Sequence, residues 1–272
     1  MTSAPIMTAG EFRQFQEYVY QKSGMYFPVS RQGYIEQKVQ KRMEALKLDK
    51  VSEYLAIVRG ELIKTEIIHL FNEITINETF FFRDRPQLDA FCKQLIPDLT
   101  AAGPRKISIL SAGCSSGEEA YTLGILMRET FPQLSFSVLG IDISDRVLAK
   151  AIRGEYTDYA VRFLPEKWLK KYFEQDGGIF RFRDEFRAGI RFAKTNLMDL
   201  GNGPVTGPFD IIFCRYVLIY FDLESKRQVL SRFYQQTPPG GYLVLGNSES
   251  IFSVSDQFHM LHYPSAIVYQ RR

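Results

Sequence analysis

Cysteine is scarce in this sequence of 272 residues, which contains three. Cys92, Cys114 and Cys214 are widely spaced and form no CxxC pair, which excludes a disulfide framework and a cysteine-based zinc site. His259 and His262 lie three positions apart but lack further Cys or His partners, and we predict no metal site. The pattern is typical of a chain in a reducing compartment.

Long apolar runs are also missing. No stretch approaches the roughly 18 apolar residues that a membrane span needs, and the opening MTSAPIMTAGEF lacks the basic and apolar regions of a secretion signal. Neither charge is in large excess: 34 Lys and Arg stand against 31 Asp and Glu, which argues against a general nucleic-acid coat. We expect a cytoplasmic protein that neither inserts into a membrane nor binds nucleic acid.

The first quarter of the chain shows helical periodicity. Phe12, Phe15 and Val19 recur at helical spacing, and the pattern continues to about Asn72, which predicts an all-helical domain over residues 1–75. Its basic residues in and just ahead of a helix at 32–47 are Arg31, Lys38, Lys41, Arg42 and Lys47. On the residues alone, a solvated face is favoured over a docking surface for an acidic partner.

Beyond about residue 105 the pattern predicts a parallel sheet covered by helices. Short apolar runs, at 107–110, 136–141, 190–193, 209–214 and 242–245, alternate with helical stretches at 118–130, 146–151 and 223–234. An insertion at 156–187 alternates Phe with Arg and predicts two or three short antiparallel strands. We therefore predict an α/β domain over 76–272 with a small β subdomain at about 156–192.

The strongest local motif is ISILSAGCSSGEEAYTLGILM, in which a strand leads through a turn of small residues into a helix. Such a turn lets a ligand approach the backbone, and the helix start presents unpaired N–H groups. The spacing is neither GxGxxG nor a GK[ST] loop, and Glu118 and Glu119 would repel a phosphate. A ligand with an ammonium group and hydroxyls fits better, although a first turn that simply favours acids is the alternative.

Asp142 follows the next predicted strand, in FSVLGIDIS. An acid at this position of a doubly wound fold accepts hydrogen bonds from a ribose diol, and the alternative is a cap on the following helix. Late in the chain, TPPGGYLVLG places a Pro-Gly turn before an apolar strand. These three features, in this order, are similar to the Rossmann-like class I methyltransferases that use S-adenosylmethionine.

Further motifs narrow the family. ITINETFFFRD at 74–84, FCRYVLIYF at 213–221, the Asn-Leu pair at 196–197 and GNSES at 246–250 resemble the CheR family of chemotaxis receptor methyltransferases. The resemblance extends from about residue 8 to the end of the chain. Packing between the two domains would explain the three phenylalanines, but it does not explain the polar residues around them.

The resemblance implies methyl transfer from S-adenosylmethionine, leaving S-adenosylhomocysteine, to glutamate side chains on the cytoplasmic helices of methyl-accepting chemoreceptors. It implies that Arg83 orients the substrate carboxylate and that Tyr220 lies near the transferred methyl group. The residues implied to bind the cofactor are Asn77, Thr79, Arg83, Glu118 at the ammonium, Asp142 at the ribose, Asn196 and Leu197 at the adenine, and Arg215 and Tyr216. Arg215 needs a ligand or a neighbouring acid, since arginine is rarely buried unpaired.

The resemblance also assigns the five basic residues of the helical domain to receptor docking, and we expect a monomer. It leaves open whether the β subdomain holds a receptor's C-terminal pentapeptide as an added strand, as in some members. Two positions depart from the family, which usually has Asn where Tyr216 stands and His where Asn247 stands. The rival functions are a non-catalytic binding module and an enzyme acting on RNA or a small acid.

Overall fold

The computed structural model describes residues 6–63, 65–103, 105–264 and 266–272. The chain divides into two compact units. The first contains the residues up to Ile76 together with Tyr220–Ser225, and the second contains Asn77–Ile219 and Lys226–Arg272.

The first unit is built from helices α1 (Ala9–Ser23), α2 (Gln32–Leu46), α3 (Val51–Arg59) and α4 (Glu66–Ile74). Helix α1 begins at a capping box in which Thr8 and Glu11 satisfy each other's backbone N–H groups, and it ends at Gly24 in the left-handed conformation. Its apolar face buries Phe12, Phe15 and Val19, as the helical periodicity predicts.

The second unit has a seven-stranded sheet in its described residues, in the order β6-β2-β1-β7-β8-β10-β9. The strands are β1 (Ile107–Ala112), β2 (Phe136–Asp142), β6 (Ile190–Lys194), β7 (Ile211–Cys214), β8 (Tyr242–Leu245), β9 (Phe258–Tyr263) and β10 (Ala266–Arg271). The pairs among β6, β2, β1, β7 and β8 are parallel, and β10 is antiparallel to both of its neighbours. The predicted α/β class is confirmed.

The remaining helices are α5 (Arg85–Ala90), α6 (Ile96–Leu99), α7 (Glu118–Thr130), α8 (Asp145–Arg153), α9 (Asp158–Val161), α10 (Glu166–Tyr172) and α11 (Leu223–Gln236). A second, three-stranded antiparallel sheet joins β3 (Glu155–Tyr156), β5 (Ile179–Phe182) and β4 (Phe173–Asp176). Among the described residues, no helix is long and apolar enough to cross a membrane.

The Phe80–Phe82 run has two buried rings and one at the surface. Phe81 is fully buried and meets Tyr156 and Phe173 edge to face, at centroid distances of 4.8 and 5.2 Å. Phe82 stacks on Trp168 at 5.2 Å. Packing inside the second unit therefore explains two of the three rings, and Phe80 is only half-buried.

Candidate functional site

The carboxyl ends of four parallel strands bring most of the predicted site residues to one edge of the sheet. Strand β1 leads into the turn at Gly113, β2 ends at Asp142, Asn196 follows β6, and Arg215 follows β7. Because β1 lies between β2 and β7, the strand order reverses at this edge, which is where open α/β sheets bind ligands.

Asp142 is tied to the turn that follows β1. Its carboxylate accepts backbone N–H bonds from Ser115 and Ser144, both at 2.9 Å. Burial raises the pKa of Asp142 and these N–H bonds oppose the shift. The alternative interpretation, in which Asp142 caps the following helix, is wrong, because the side chain of Ser144 caps helix α8. Asp142 keeps lone pairs with which a diol can bond.

Glu118 begins helix α7 and is 3% exposed. Both of its carboxylate oxygens accept from the Ser116 hydroxyl at 2.9 Å, so its bonded partner is a neutral group. Burial raises the pKa of Glu118 to about 7. A buried acid whose bonded partner is a neutral hydroxyl fits the ammonium of S-adenosylmethionine, and Glu118 and Asp142 together match the charge and hydroxyls of that cofactor.

Two further segments border the edge. The Asn77 carbonyl accepts from the Ser115 hydroxyl at 3.1 Å, which joins the chain beside half-buried Thr79 to the turn after β1. On the far side, the Asn196 side chain accepts from the Met198 N–H at 3.1 Å and so starts a short 3-10 turn, in which Leu197 is buried. The amide of Asn196 is therefore engaged locally.

Arg215 lies just past the end of β7 with its side chain 3% exposed. Its Nε donates to Glu119 at 2.6 Å, and its Nη1 donates to the Arg83 carbonyl at 2.8 Å and to Gln87 Oε1 at 3.1 Å. Of the two partners expected for Arg215, a ligand or a neighbouring acid, the structure shows the acid, which is Glu119. The run 217–219 does not continue the strand, because the chain leaves β7 at Cys214 and turns.

Tyr216 stands beside Arg83. The Arg83 guanidinium carbon lies 3.8 Å from the Tyr216 ring centroid, and the Tyr216 hydroxyl donates to Asp84 at 2.5 Å. Its backbone N–H donates to Glu249 at 2.6 Å. Burial and the Asp84 carboxylate raise the pKa of Tyr216, which keeps the hydroxyl a donor. The ring is therefore directed at Arg83.

Four residues of this network were not predicted as site residues: Asp84, Gln87, Glu119 and Glu249. Glu119 is one of the two acids noted after the turn, but its pairing with Arg215 was not predicted. Asp84 and Glu249 stand inside motifs that mark the family, ITINETFFFRD and GNSES. For Asp84, the arginines on both sides of it were a further signal. Gln87 sits in helix α5 and had none, since its partners come from distant parts of the chain.

Tyr220 belongs to the first unit, where its carbonyl accepts from the Tyr26 N–H at 2.9 Å. Its part in the chemistry stays a prediction. In the same unit, Arg31, Lys41 and Lys47 are exposed and Lys38 is half-buried over the Tyr34 ring.

Lys41 is also paired, since its ammonium lies 3.0 Å from both carboxylate oxygens of Glu73, but its side chain stays 61% exposed. Arg42 differs from those four in the burial of its two-pronged ion pair, which joins its guanidinium to Glu66 at 2.8 and 2.9 Å. The two side chains are only 15% and 1% exposed. The expectation that Arg42 presents its charge to a partner is therefore corrected: the guanidinium neutralises a buried acid that Tyr54 also contacts.

Comparisons with known proteins identify the family of this chain. Models of the CheR methyltransferase all-alpha domain and of the CheR methyltransferase SAM binding domain match residues 10–75 and 77–267. "Chemotaxis protein methyltransferase 2" of Vibrio cholerae serotype O1 is 33% identical, covering 98% of this chain and 94% of its own length. "Chemotaxis protein methyltransferase" of Vibrio parahaemolyticus is 34% identical, with 96% of each chain covered.

Among solved structures, the chain is similar to magnesium protoporphyrin IX methyltransferase (ChlM) from Synechocystis PCC 6803 with bound SAM. The TM-score is 0.43 and the identity 19%, over 77% of this chain and 96% of the other. The match to both family models and to full-length relatives decides the assignment. The chain belongs to the CheR family of S-adenosylmethionine-dependent chemotaxis methyltransferases.

Proposed function

We propose that this methyltransferase esterifies glutamate side chains of methyl-accepting chemoreceptors. The observation that carries the proposal is the Arg83 guanidinium, fixed on the Tyr216 ring in the unit that also presents Glu118 and Asp142. A planar guanidinium matches a carboxylate. Its own engagement with the ring and with the Glu78 carbonyl, at 3.0 Å, limits how tightly it pairs with the substrate.

The main catalytic requirement of this reaction is that the protein align the two reacting groups. Bound S-adenosylmethionine supplies an electrophilic methyl group next to a cationic sulfur. A glutamate carboxylate, with an ordinary pKa near 4.3, is ionised at neutral pH and needs no general base. Holding the reacting groups in line and away from water can lower the barrier by ~7–11 kcal/mol. A site without a Ser-His or Cys-His pair is sufficient for this reaction.

Each site residue then has a role. Glu118 holds the cofactor ammonium, Asp142 holds the ribose diol, and Asn196 and Leu197 border the adenine. Asn77 and Thr79 face the cofactor from the segment that carries Arg83. Arg215 supports the site through Glu119 and the Arg83 carbonyl, and Tyr216 holds Arg83 in place of an amide contact to the cofactor.

Docking to the receptor is assigned to the exposed or half-exposed cations of helix α2 and its start, which are Arg31, Lys38, Lys41 and Lys47. Such a face attracts an acidic helical rod. Edge strands β3 and β4 of the small sheet offer the geometry for an added peptide strand, including a receptor C-terminal pentapeptide. We place the protein in the cytoplasm as a monomer.

The decisive experiment incubates the protein with methyl-labelled S-adenosylmethionine and receptor-containing membranes and then measures base-labile methyl ester. The proposal expects ester on the receptor. Cofactor binding without ester would favour a binding module, and label in RNA or a small acid would favour a different substrate. Arg83→Ala and Tyr220→Phe should each lower methyl transfer more than they lower cofactor affinity, and unchanged turnover in both would remove these residues from the mechanism.

A further inference from the structure

Three aromatic rings surround one arginine on the surface of the second unit. The Arg162 guanidinium carbon lies 3.6 Å from the Tyr159 ring centroid, 3.9 Å from that of Phe80 and 4.8 Å from that of Phe163. Tyr159 is 53% exposed and Phe163 48% exposed. These four residues are named the aromatic–arginine cluster.

The cluster is held in place by bonds between two distant segments. The Tyr159 hydroxyl donates to the Glu78 carboxylate at 2.8 Å, and Arg85 donates to the Phe163 carbonyl at 3.0 Å. The Phe80 and Phe163 rings also meet, with centroids 5.3 Å apart. Because the rings are fixed beforehand, a partner that covers them pays little of the usual entropy of ordering side chains.

The rings of the cluster lie outside the buried core of the unit. Phe81 and Phe82, next to Phe80, are the members of the run that fill the core. Exposed aromatic side chains grouped with arginine are the composition of binding hot spots, and a contiguous exposed apolar patch commonly marks an interaction site. The cluster therefore has the chemistry of a protein contact.

The position of the cluster, next to Arg83, indicates which kind of partner it contacts. The Phe80 ring is shared with the proposed substrate arginine, since the Arg83 guanidinium carbon lies 5.5 Å from its centroid. Arg83, Arg85 and Arg162 bring three positive charges to this surface, against the carboxylate of Glu78, which accepts from the neutral Tyr159 hydroxyl and keeps its charge. The surface thus suits a segment with both apolar and acidic side chains that continues directly from the bound carboxylate.

We propose that the aromatic–arginine cluster contacts the chemoreceptor helix on one side of the target glutamate and so helps to select which glutamate is methylated. This inference rests on the proposed function, because it takes Arg83 as the residue that meets the substrate carboxylate. The rings would cover apolar side chains of that helix, and Arg162 would face an acidic side chain near the target.

The test compares Phe163→Ala and Arg162→Glu with the unaltered protein, using a purified cytoplasmic fragment of a methyl-accepting chemoreceptor as substrate. We expect the KM for the fragment to rise by about tenfold or more, as for loss of a hot-spot residue. The kcat and the Kd for S-adenosylmethionine should change less than about twofold, because neither residue contacts the proposed cofactor groups. Phe252→Ala and Arg191→Glu, both at exposed positions outside the cluster, are the matched controls and should leave KM unchanged.

The outcomes separate this inference from the proposed function. Thermal unfolding first confirms that each variant is folded, and Arg162→Lys keeps the charge while removing the planar stack. If the unaltered protein methylates the fragment and both cluster variants keep its KM, the cluster is not a substrate contact. If the unaltered protein forms no ester, the proposed function fails, and direct binding of the fragment decides the cluster: an unchanged Kd in the variants overturns it.

Discussion

The guanidinium of Arg83 stacks on the ring of Tyr216, with 3.8 Å between the guanidinium carbon and the ring centroid. The ring is anchored in turn, because its hydroxyl bonds Asp84 and its backbone bonds Glu249. Asp84 and Tyr216 both have positive φ, 56° and 61°, a conformation that costs non-glycine residues free energy and that concentrates at functional sites. A tyrosine at a position where the family usually has Asn thus acquires a role through Arg83.

Tyr216→Ala should lower kcat more than it changes the Kd for S-adenosylmethionine. It removes a cation–π contact that contributes about 0.5–2 kcal/mol, so kcat should fall by roughly 2- to 30-fold. Tyr216→Phe keeps the ring and loses only the bond to Asp84, and should retain most of the activity. Steady-state kinetics at saturating cofactor measure both. A cofactor Kd that rises in step with the fall in kcat would instead make Tyr216 a cofactor contact.

Glu118 should give cofactor binding a dependence on pH. Burial raises its pKa to about 7, so Glu118 becomes protonated and uncharged as the pH falls below that value. An ammonium group then loses its counter-charge, and the affinity for S-adenosylmethionine should weaken by up to about tenfold per pH unit between pH 7 and 5. Calorimetric titration at several pH values measures this. Glu118→Gln should bind weakly with a flatter pH profile, and a profile parallel to that of the unaltered protein would remove Glu118 from the ammonium site.

The same pKa shift predicts that Glu118 lowers the stability of the cofactor-free protein as the pH rises. The folded-state pKa of about 7 lies above the ordinary value of 4.5, so ionisation of Glu118 destabilises the cofactor-free protein as the pH rises through this interval. Glu118→Gln removes that penalty. Its gain in melting temperature over the unaltered protein should therefore grow from pH 4.5 to 7 and stay constant above, and a gain that shrinks with rising pH would contradict the shift.

Much of the fold was accessible from the sequence because local patterns and tertiary structure agree. Helix α7 runs from Glu118 to Thr130 as its periodicity and small-residue turn predict, and strand β8 has the predicted bounds. Strands β9 and β10 were missed, since their mixture of His, Met, Tyr and Gln with half-buried positions gives no clean alternation. The apolar residues 217–219 do not extend strand β7, which ends at Cys214, because Tyr216 has positive φ and turns the chain.

For the site, the sequence could indicate which residues collect at the sheet edge but not which of them bond one another. Parallel strands bring their carboxyl ends together whatever the side chains do, so Asp142 and Arg215 were predictable there. The pairing of Arg215 with Glu119 and Gln87 depends on the angles at which helices α5 and α7 lie against the sheet. Periodicity carries no such information.

The pairing of Arg215 with Glu119 should be important for stability. Both side chains are nearly buried, 3% and 12% exposed, so Arg215→Met leaves an unpaired carboxylate and should lower the free energy of unfolding by about 3–5 kcal/mol. Adding Glu119→Gln removes that charge and should restore part of the loss, which denaturant unfolding of the double-mutant cycle measures. Lys93→Met, at an exposed ion pair with Asp89, is the control and should cost about 1 kcal/mol or less. Strictly additive losses for Arg215 and Glu119 would show that they do not stabilise each other.

Reversing the charge of lysines on helix α2 and at its end should weaken receptor docking without disturbing the fold. Lys38→Glu combined with Lys47→Glu should raise the KM for receptor severalfold at low ionic strength and leave the cofactor Kd unchanged, because these charges act on the partner at long range. Lys41 is left in place because it pairs with Glu73. The difference should shrink as salt is added, since the Debye length falls from about 30 Å at 0.01 M to about 8 Å at 0.15 M. A KM for receptor that does not respond to salt in the unaltered protein would contradict the docking face.

Arg42 lies in helix α2 between Lys38 and Lys47 and supplies the matched control. Its bidentate pair with Glu66, whose side chain is 1% exposed, makes its charge part of the interior of the helical unit. Arg42→Gln should therefore lower the melting temperature without raising the KM for receptor at a temperature where the variant is folded, whereas the lysine reversals should do the opposite. Both quantities measured for both variants decide whether the basic residues of α2 act in two separate ways. If Arg42→Gln raised KM like the lysine reversals and left the melting temperature alone, the division between a docking face and a buried ion pair would be wrong.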